Sequence, residues 1–267
     1  MSDGPPSNAA VLTVRDLELR YGSTLIQKDL SFDIHRGDIF VIMGGSGCGK
    51  STLLKHMIGL NRPHAGSICY GGTDLWAADE KTRNQLLRNV GVLYQQGALW
   101  SSLTLAENVM VPMEEYTSLN VRQRRELVAL KLSMVGLAGF EDYMPAEISG
   151  GMRKRAGLAR AMALDPDILF FDEPSSGLDP IHAKLLDDLI LELSAALGTT
   201  IVVVSHELAS IFAIGSNAVF LDSESKTMLA TGPPLELRDH SPIPRIRQFL
   251  AREAPINESS PSREKNP

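Results

Sequence analysis

Gly44-Gly45-Ser46-Gly47-Cys48-Gly49-Lys50-Ser51-Thr52 is the stretch on which the reading of this chain turns. The apolar run Ile39 to Met43 precedes it, and Leu53, Leu54, Met57 and Ile58 follow at helical spacing. The order is therefore buried strand, glycine loop, helix. The stretch fits G-x-x-x-x-G-K-[ST], the phosphate-binding P-loop. Glycines let backbone N–H groups turn inward and approach a phosphate closely. The helix that opens at Lys50 aims its positive dipole end at the same place. Lys50 offers a charge to β- and γ-phosphates, and Ser51 a hydroxyl to Mg²⁺. Cys48 fills a variable position, though a thiol there could make the site sensitive to alkylation.

Upstream, Val11 to Tyr21 alternates as a half-buried strand, and Asp29 to His35 reads as a second one. Downstream, the P-loop helix is expected to end near Leu60, before Asn61 and Pro63. Gly66 to Tyr70 reads as a short strand, Asp79 to Arg88 as a polar helix and Val90 to Tyr94 as an apolar strand ending at Gln95. From Ser101 to Ala163 the pattern turns helical. Thr104 and Glu107 fit a capping box. Asn120 caps a helix whose Leu127, Leu130 and Met134 share a face, and Gly136 stops it. A third helix follows Ser149-Gly150-Gly151.

Ile168 to Phe171 and Thr200 to Val204 lack alternation, as strands buried on both faces of a parallel sheet do. Between them Ile181, Leu185 and Leu189 mark a helix closed by Gly198. Ala218 to Leu221 and Met228 to Ala230 read as a hairpin. A short helix is expected from Arg245 to Arg252, then a polar, disordered tail.

The net charge of −6 over 267 residues argues against nucleic acid as a partner, which would select a basic surplus. Two cysteines, Cys48 and Cys69, cannot build a disulfide framework and point to a reducing compartment. The polar N-terminus shows no signal-peptide pattern. No run approaches the ~18 apolar residues of a membrane span, so a membrane role would pass through a partner.

Four further elements make chemical sense with the P-loop. Asp172 and Glu173 end an apolar strand, which places two carboxylates at the sheet's carboxyl edge. Asp172 suits Mg²⁺, directly or through water, and Glu173 suits taking a proton from, or orienting, an attacking water. Ser149-Gly150-Gly151 opens a helix, a second anion-seeking N-terminus. His206 follows a core strand expected to neighbour that of the P-loop, within reach of a γ-phosphate. Gln95, at another strand end, could ligate Mg²⁺ and report its presence to the helical segment. Tyr21, just before a turn, could stack on a base. Arg122-Arg124-Arg125 and Arg153-Lys154-Arg155 read as solvated helix faces.

In this order the residues resemble the motif set of the ATP-binding-cassette ATPases over nearly the whole chain. The set runs from Tyr21 through the P-loop, Gln95, Ile148-Ser149-Gly150-Gly151-Met152, Asp172-Glu173 and Ser176-Gly177-Leu178-Asp179 to His206. The resemblance implies an α/β P-loop NTPase (RecA-like) core with an antiparallel β subdomain and an all-helical insert. It implies ATP and Mg²⁺ as ligands and a head-to-tail homodimer that sandwiches the nucleotide. Glu173, His206 and Lys50 would be catalytic, and Ser51, Gln95 and Asp172 would hold the metal. Tyr21, the P-loop and Gln95 would bind ATP. Ser149, Gly150, Gly151 and Asp179 would act on the nucleotide of the partner subunit. Met152 departs from the family, many members of which carry glutamine there.

Three stretches further resemble the ATPases of MCE-type phospholipid transporters, the maintenance-of-lipid-asymmetry class. They are Leu93-Tyr94-Gln95-Gln96-Gly97-Ala98-Leu99-Trp100, the signature ending in Met152 before Arg153-Lys154-Arg155, and Pro244-Arg245-Ile246-Arg247-Gln248-Phe249-Leu250. This resemblance implies a peripheral ATPase on the cytoplasmic side of an inner membrane. It would drive transmembrane permease subunits together with an MCE-type periplasmic lipid-binding protein and a small cytoplasmic accessory subunit. Rival readings are a cassette for lipoprotein release or amino-acid uptake, or a soluble non-transport cassette. The expected divisions are a disordered N-terminus at 1–10, a nucleotide-binding core at 11–100 and 164–235, a helical signature subdomain at 101–163, and a C-terminal extension and tail at 236–267.

Overall fold

Two sheets share one buried layer of side chains. The computed structural model describes residues 10–251. The N-terminal disorder expected for 1–10 is corrected at Ala10, which begins β1; residues 1–9 and the tail with Arg252 lie outside the described residues. In chain order come β1 (Ala10–Tyr21), β2 (Thr24–His35), β3 (Ile39–Gly44), α1 (Lys50–Met57), β4 (Ala65–Tyr70) and β5 (Thr73–Asp74). Then follow α2 (Glu80–Arg88), β6 (Val90–Leu93), α3 (Leu105–Tyr116), α4 (Val121–Met134) and α5 (Gly150–Ala161). The chain continues with β7 (Ile168–Asp172), α6 (Pro180–Leu197), β8 (Thr200–Val204), α7 (Leu208–Ile214), β9 (Asn217–Leu221), β10 (Met228–Gly232), α8 (Pro234–His240) and α9 (Pro244–Ala251).

The antiparallel sheet has the order β2-β1-β4-β5, and the second sheet the order β10-β9-β3-β8-β7-β6. In the second sheet β6, β7, β8, β3 and β9 run parallel, and β10 closes the edge antiparallel to β9. This is the expected α/β core with an antiparallel β layer. Strand β3 is buried at every residue and β8 likewise. Their side chains alternate between two cores, which is why no polar position interrupts them. Phe40, Ile42, Phe170 and Val202 face the antiparallel sheet, where Phe32 stacks on Phe40 at 5.4 Å. Leu169, Phe171, Ile201 and Val203 face the helices of the insert and α6. Each large side chain so buried contributes about 1.5–3 kcal/mol.

The helix caps follow local chemistry. Thr104 and Asn120 each form the two reciprocal bonds of a capping box, and Gly198 closes α6 in the left-handed conformation at φ 63°.

Several expectations need correction. Helix α1 stops at Met57, because Gly59 turns left-handed at φ 75° before Asn61 and Pro63 are reached. Strand β2 starts five residues earlier than its alternation suggests, at Thr24, since β1 pairs with it as far as the turn. Helices α7 and α8 were not expected; they are seven residues each, too short for a clear period. In α4, Leu130 is 53% exposed, while Val128, Lys131 and Leu132 are buried. The stem of Lys131 fills an apolar position and its ammonium reaches Asp165. In α6, Ile181 and Leu185 are 72% and 58% exposed, and Leu186, Ile190 and Leu193 pack inward. Both helices carry apolar residues on more than one stripe, and the neighbouring elements select which stripe is covered.

Candidate functional site

Every parallel strand delivers its following residue to the same edge. Asp172 stands level with Val204, and Val204 with Ile42, two residues before Gly44. Glu173 follows β7 directly, and His206 and Gln95 stand one residue further on past the ends of β8 and β6. A cleft of about 650 Å³ opens there. It is lined by the P-loop from Gly44 to Thr52 without Cys48, by Glu173 and His206, and by Ile26 and Phe249.

The loop needs glycine where the backbone is crowded. At Gly44, φ is +146° and a Cβ would fall 2.2 Å from the Leu221 carbonyl oxygen. Gly49 turns left-handed at φ 95° and starts α1. Beneath the loop, the buried Gln27 amide donates to the carbonyls of Cys48 at 2.6 Å and Asp222 at 2.9 Å. The Cys48 thiol is buried, and burial raises its pKa. The expected sensitivity to alkylation is therefore corrected: the side chain turns into the core, away from the cleft.

Lys50 folds back over the loop, its Nζ donating to the carbonyls of Gly44 and Gly45 at 3.0 Å each. The ammonium is thus held at the mouth of a ring of N–H groups, where phosphate oxygens would bind. The Ser51 hydroxyl donates to Oδ1 of Asp172 at 3.0 Å. Burial raises the Asp172 carboxyl pKa, and the Ser51 bond opposes that shift.

Among the described residues there is no cluster of three or more His, Cys, Asp or Glu side chains that could hold a metal alone. A hydroxyl and one carboxylate, both hard oxygen donors, suit a Mg²⁺ ion whose remaining ligands are phosphate oxygens and water. The residues present therefore fit that ion.

The Glu173 carboxylate is held on both oxygens. His206 Nδ1 lies 3.0 Å from Oε1, and the Gln95 amide donates to Oε2 at 3.3 Å. Gln95 also donates to Ser176 Oγ at 3.1 Å. Gln95 thus engages Glu173 and Ser176. Glu173 itself is left-handed at φ 50°, a costly conformation for a residue with a Cβ. Such strain persists only where its surroundings over-determine the backbone. Here its N–H donates to the Val204 carbonyl at 2.9 Å.

Ser149, Gly150, Gly151 and Asp179 do not line this cleft. Ser149 caps α5 by accepting from the Met152 N–H at 3.2 Å. Asp179 caps α6 through the N–H groups of Ile181 and His182, and those bonds lower its pKa. Ser149, Gly150 and Asp179 are exposed on the surface. Tyr21 is 49% exposed at the end of β1 and is also absent from the cleft wall.

The sequence reading gave no site role to Ile26, Gln27 or Phe249, the last marked only within the C-terminal stretch; all three reach the site from remote positions. It also misread Arg153-Lys154-Arg155. Lys154 is buried, Arg153 donates to the Ile148 carbonyl and Arg155 to that of Val135. All three clamp backbone carbonyls, and while Arg153 stays exposed, Lys154 and Arg155 are covered because α5 packs among β6, α3 and α4.

The family model for "ABC transporter" matches residues 27–176. A probable ribonucleotide transport ATP-binding protein of Mycobacterium leprae is 41% identical over 248 residues, 93% of this chain and 71% of that protein. The intermembrane phospholipid transport system ATP-binding protein MlaF of Escherichia coli is 40% identical over 244 residues, 91% of this chain and 90% of that one. Among solved structures, a dimeric ATP-binding cassette in a post-hydrolysis state with ADP and phosphate superposes with a TM-score of 0.75 at 26% identity. That match covers 83% of this chain and 98% of the other.

Proposed function

Because this chain belongs to the ABC transporter family, whose members hydrolyse ATP, we propose that it is the ATPase subunit driving phospholipid transport between an inner membrane and the periplasm. The observation that carries the cargo is the near end-to-end match to MlaF, 91% of one chain and 90% of the other. The match to the probable ribonucleotide transport protein is as strong in identity but leaves more of that protein unaligned.

In this reading the P-loop N–H groups and Lys50 bind the β- and γ-phosphates. Ser51, Asp172 and Gln95 would hold Mg²⁺, and the ion would neutralise charge that develops on the phosphate oxygens. Glu173 accepts a proton from the attacking water or orients it. His206 and Gln95 fix the Glu173 carboxylate, and His206 reaches the γ-phosphate. Two chains pair head to tail, so that Ser149, Gly150, Gly151 and Asp179 of one complete the nucleotide site of the other. The exposure of Ser149, Gly150 and Asp179 on the single chain supports that placement. Tyr21 stacks on the adenine from the rim.

Among the described residues no helix is long and apolar enough to cross a membrane. Attachment to the cytoplasmic face is assigned to transmembrane permease subunits, with an MCE-type lipid-binding protein and a small accessory subunit in the same assembly. The test is purification of the tagged chain from detergent-solubilised membranes, followed by identification of bound proteins and lipids. Recovery of an MCE protein with phospholipid is expected. Recovery of a solute-binding protein, with neither of those, overturns the cargo assignment.

A further inference from the structure

Helix α5 carries a second functional group one turn inside its exposed N-terminus. Lys154 is 6% exposed, and its Nζ donates to the carbonyls of Pro174 and Ser176. A buried ammonium is costly unless hydrogen bonds compensate its lost hydration. Here the partners are two backbone carbonyls, not a carboxylate. Burial lowers the lysine pKa, and the nearby Glu173 carboxylate opposes that shift.

The two carbonyls belong to the turn that directly follows Glu173. Ser176 N–H donates to the Glu173 carbonyl at 3.2 Å, and Ser176 Oγ accepts from Gln95, whose amide also binds Glu173. The backbone of Ser176 is thus held by Lys154 while its hydroxyl is held by Gln95. At the other end of the same helical turn stand Ser149 and Gly150, exposed on the surface. The Gly151 position also lies against α6: a Cβ there would sit 3.5 Å from the ring of His182, which is bonded to Asp179.

We propose that Lys154 is a positioning residue that ties the signature end of α5 to the turn bearing Glu173. Contact of Ser149–Gly151 with the partner's nucleotide is then felt by the catalytic carboxylate of the same chain. This rests on the reading of Glu173 as the catalytic base and of the signature as acting across a dimer. Lys154 touches neither nucleotide nor water; it acts through the turn. A shift of the Glu173 carboxylate by about 1 Å is enough to cost on the order of a hundredfold in rate.

The test compares Lys154→Met, which removes the charge at similar volume, with Lys154→Arg, which keeps it. Both are made in the full chain assembled with its permease, and steady-state ATP hydrolysis is measured against ATP concentration. For Lys154→Met we expect kcat to fall roughly ten- to a hundredfold, KM for ATP to stay within about twofold, and cooperativity in ATP to be lost. Lys154→Arg should restore part of kcat. A folded variant that loses nucleotide binding together with kcat overturns the proposal. So does a kcat for Lys154→Met equal to that of the parent. Where the methionine variant does not fold, Lys154→Gln, which retains a donor to one carbonyl, is read by the same criteria. Glu173→Gln is run in parallel. Full hydrolysis in Glu173→Gln removes the base reading, whereas an inactive Glu173→Gln beside a fully active Lys154→Met removes only the role of Lys154.

Discussion

Ser51 and Asp172, 121 positions apart, share a hydrogen bond of 3.0 Å from hydroxyl to carboxylate at the floor of the P-loop cleft. One residue opens α1 and the other ends β7, so the contact exists only because β8 spaces the two strands. Asp172→Asn should keep the fold, since an amide oxygen accepts the same bond, but weaken the hold on Mg²⁺. The Mg²⁺ concentration for half-maximal hydrolysis should rise roughly ten- to a hundredfold. An unchanged Mg²⁺ titration would remove Asp172 from the metal site.

Glu173→Gln retains a side chain of the same shape between His206 and Gln95 but cannot take a proton. ATP binding should persist while turnover falls by about 10²–10⁴-fold. A dimer should accumulate in ATP, visible by size-exclusion chromatography with light scattering. Hydrolysis at the parental rate rules out Glu173 as the base.

Lys50→Ala removes the ammonium that bridges the carbonyls of Gly44 and Gly45. Both ATP binding and hydrolysis should be lost, because the phosphates lose their charged partner. Binding of a fluorescent ATP analogue checks this. Parental affinity in that variant would contradict the phosphate role.

His56 lies buried on α1, its Nδ1 donating to the Thr52 carbonyl at 2.8 Å. Burial lowers its pKa below 6.5, partly opposed by that bond. The unfolded chain therefore takes up the proton first as pH falls. The stability supplied by the neutral ring is fully present above the unfolded value of about 6.5 and is lost as pH drops through it toward the folded value. Thermal melts should show Tm falling between pH 7.5 and 5.5, with a shallower fall in His56→Leu. Parallel curves for the two proteins would sink this account.

Cys48 sits inside the P-loop sequence yet is 1% exposed, with a thiol pKa raised by burial. Iodoacetamide should label it far more slowly in the folded protein than in urea, with or without ATP, as peptide mass spectrometry can follow. Rapid labelling that ATP blocks would restore the alkylation-sensitive reading.

Much of the site was legible because its parts are local. A strand, a glycine turn and a helix are specified within some twenty residues, and Asp172, Glu173, Gln95 and His206 each stand at the end of an apolar run. A parallel sheet brings all such ends to one edge whatever the strand order. Lys154 was not legible. A cation between two arginines reads as a solvated face, and only the packing of α5 against the turn after β7 shows that its partners are backbone carbonyls. Phe249 and Gln27 were hidden for a similar reason, since each reaches the loop from a distant element with nothing local to mark it.

The amino-acid sequence by itself determined the phosphate-binding loop, the doubly buried strands and the helix caps. These follow from periodicity and from side chains that bond their own backbone neighbours. The tertiary structure decided which stripe of α4 and α6 is covered, where the Cys48 thiol points, and what holds Glu173 in its left-handed turn. Those outcomes depend on surfaces brought together from far along the chain, and the free energy that selects among them is absent until those surfaces meet.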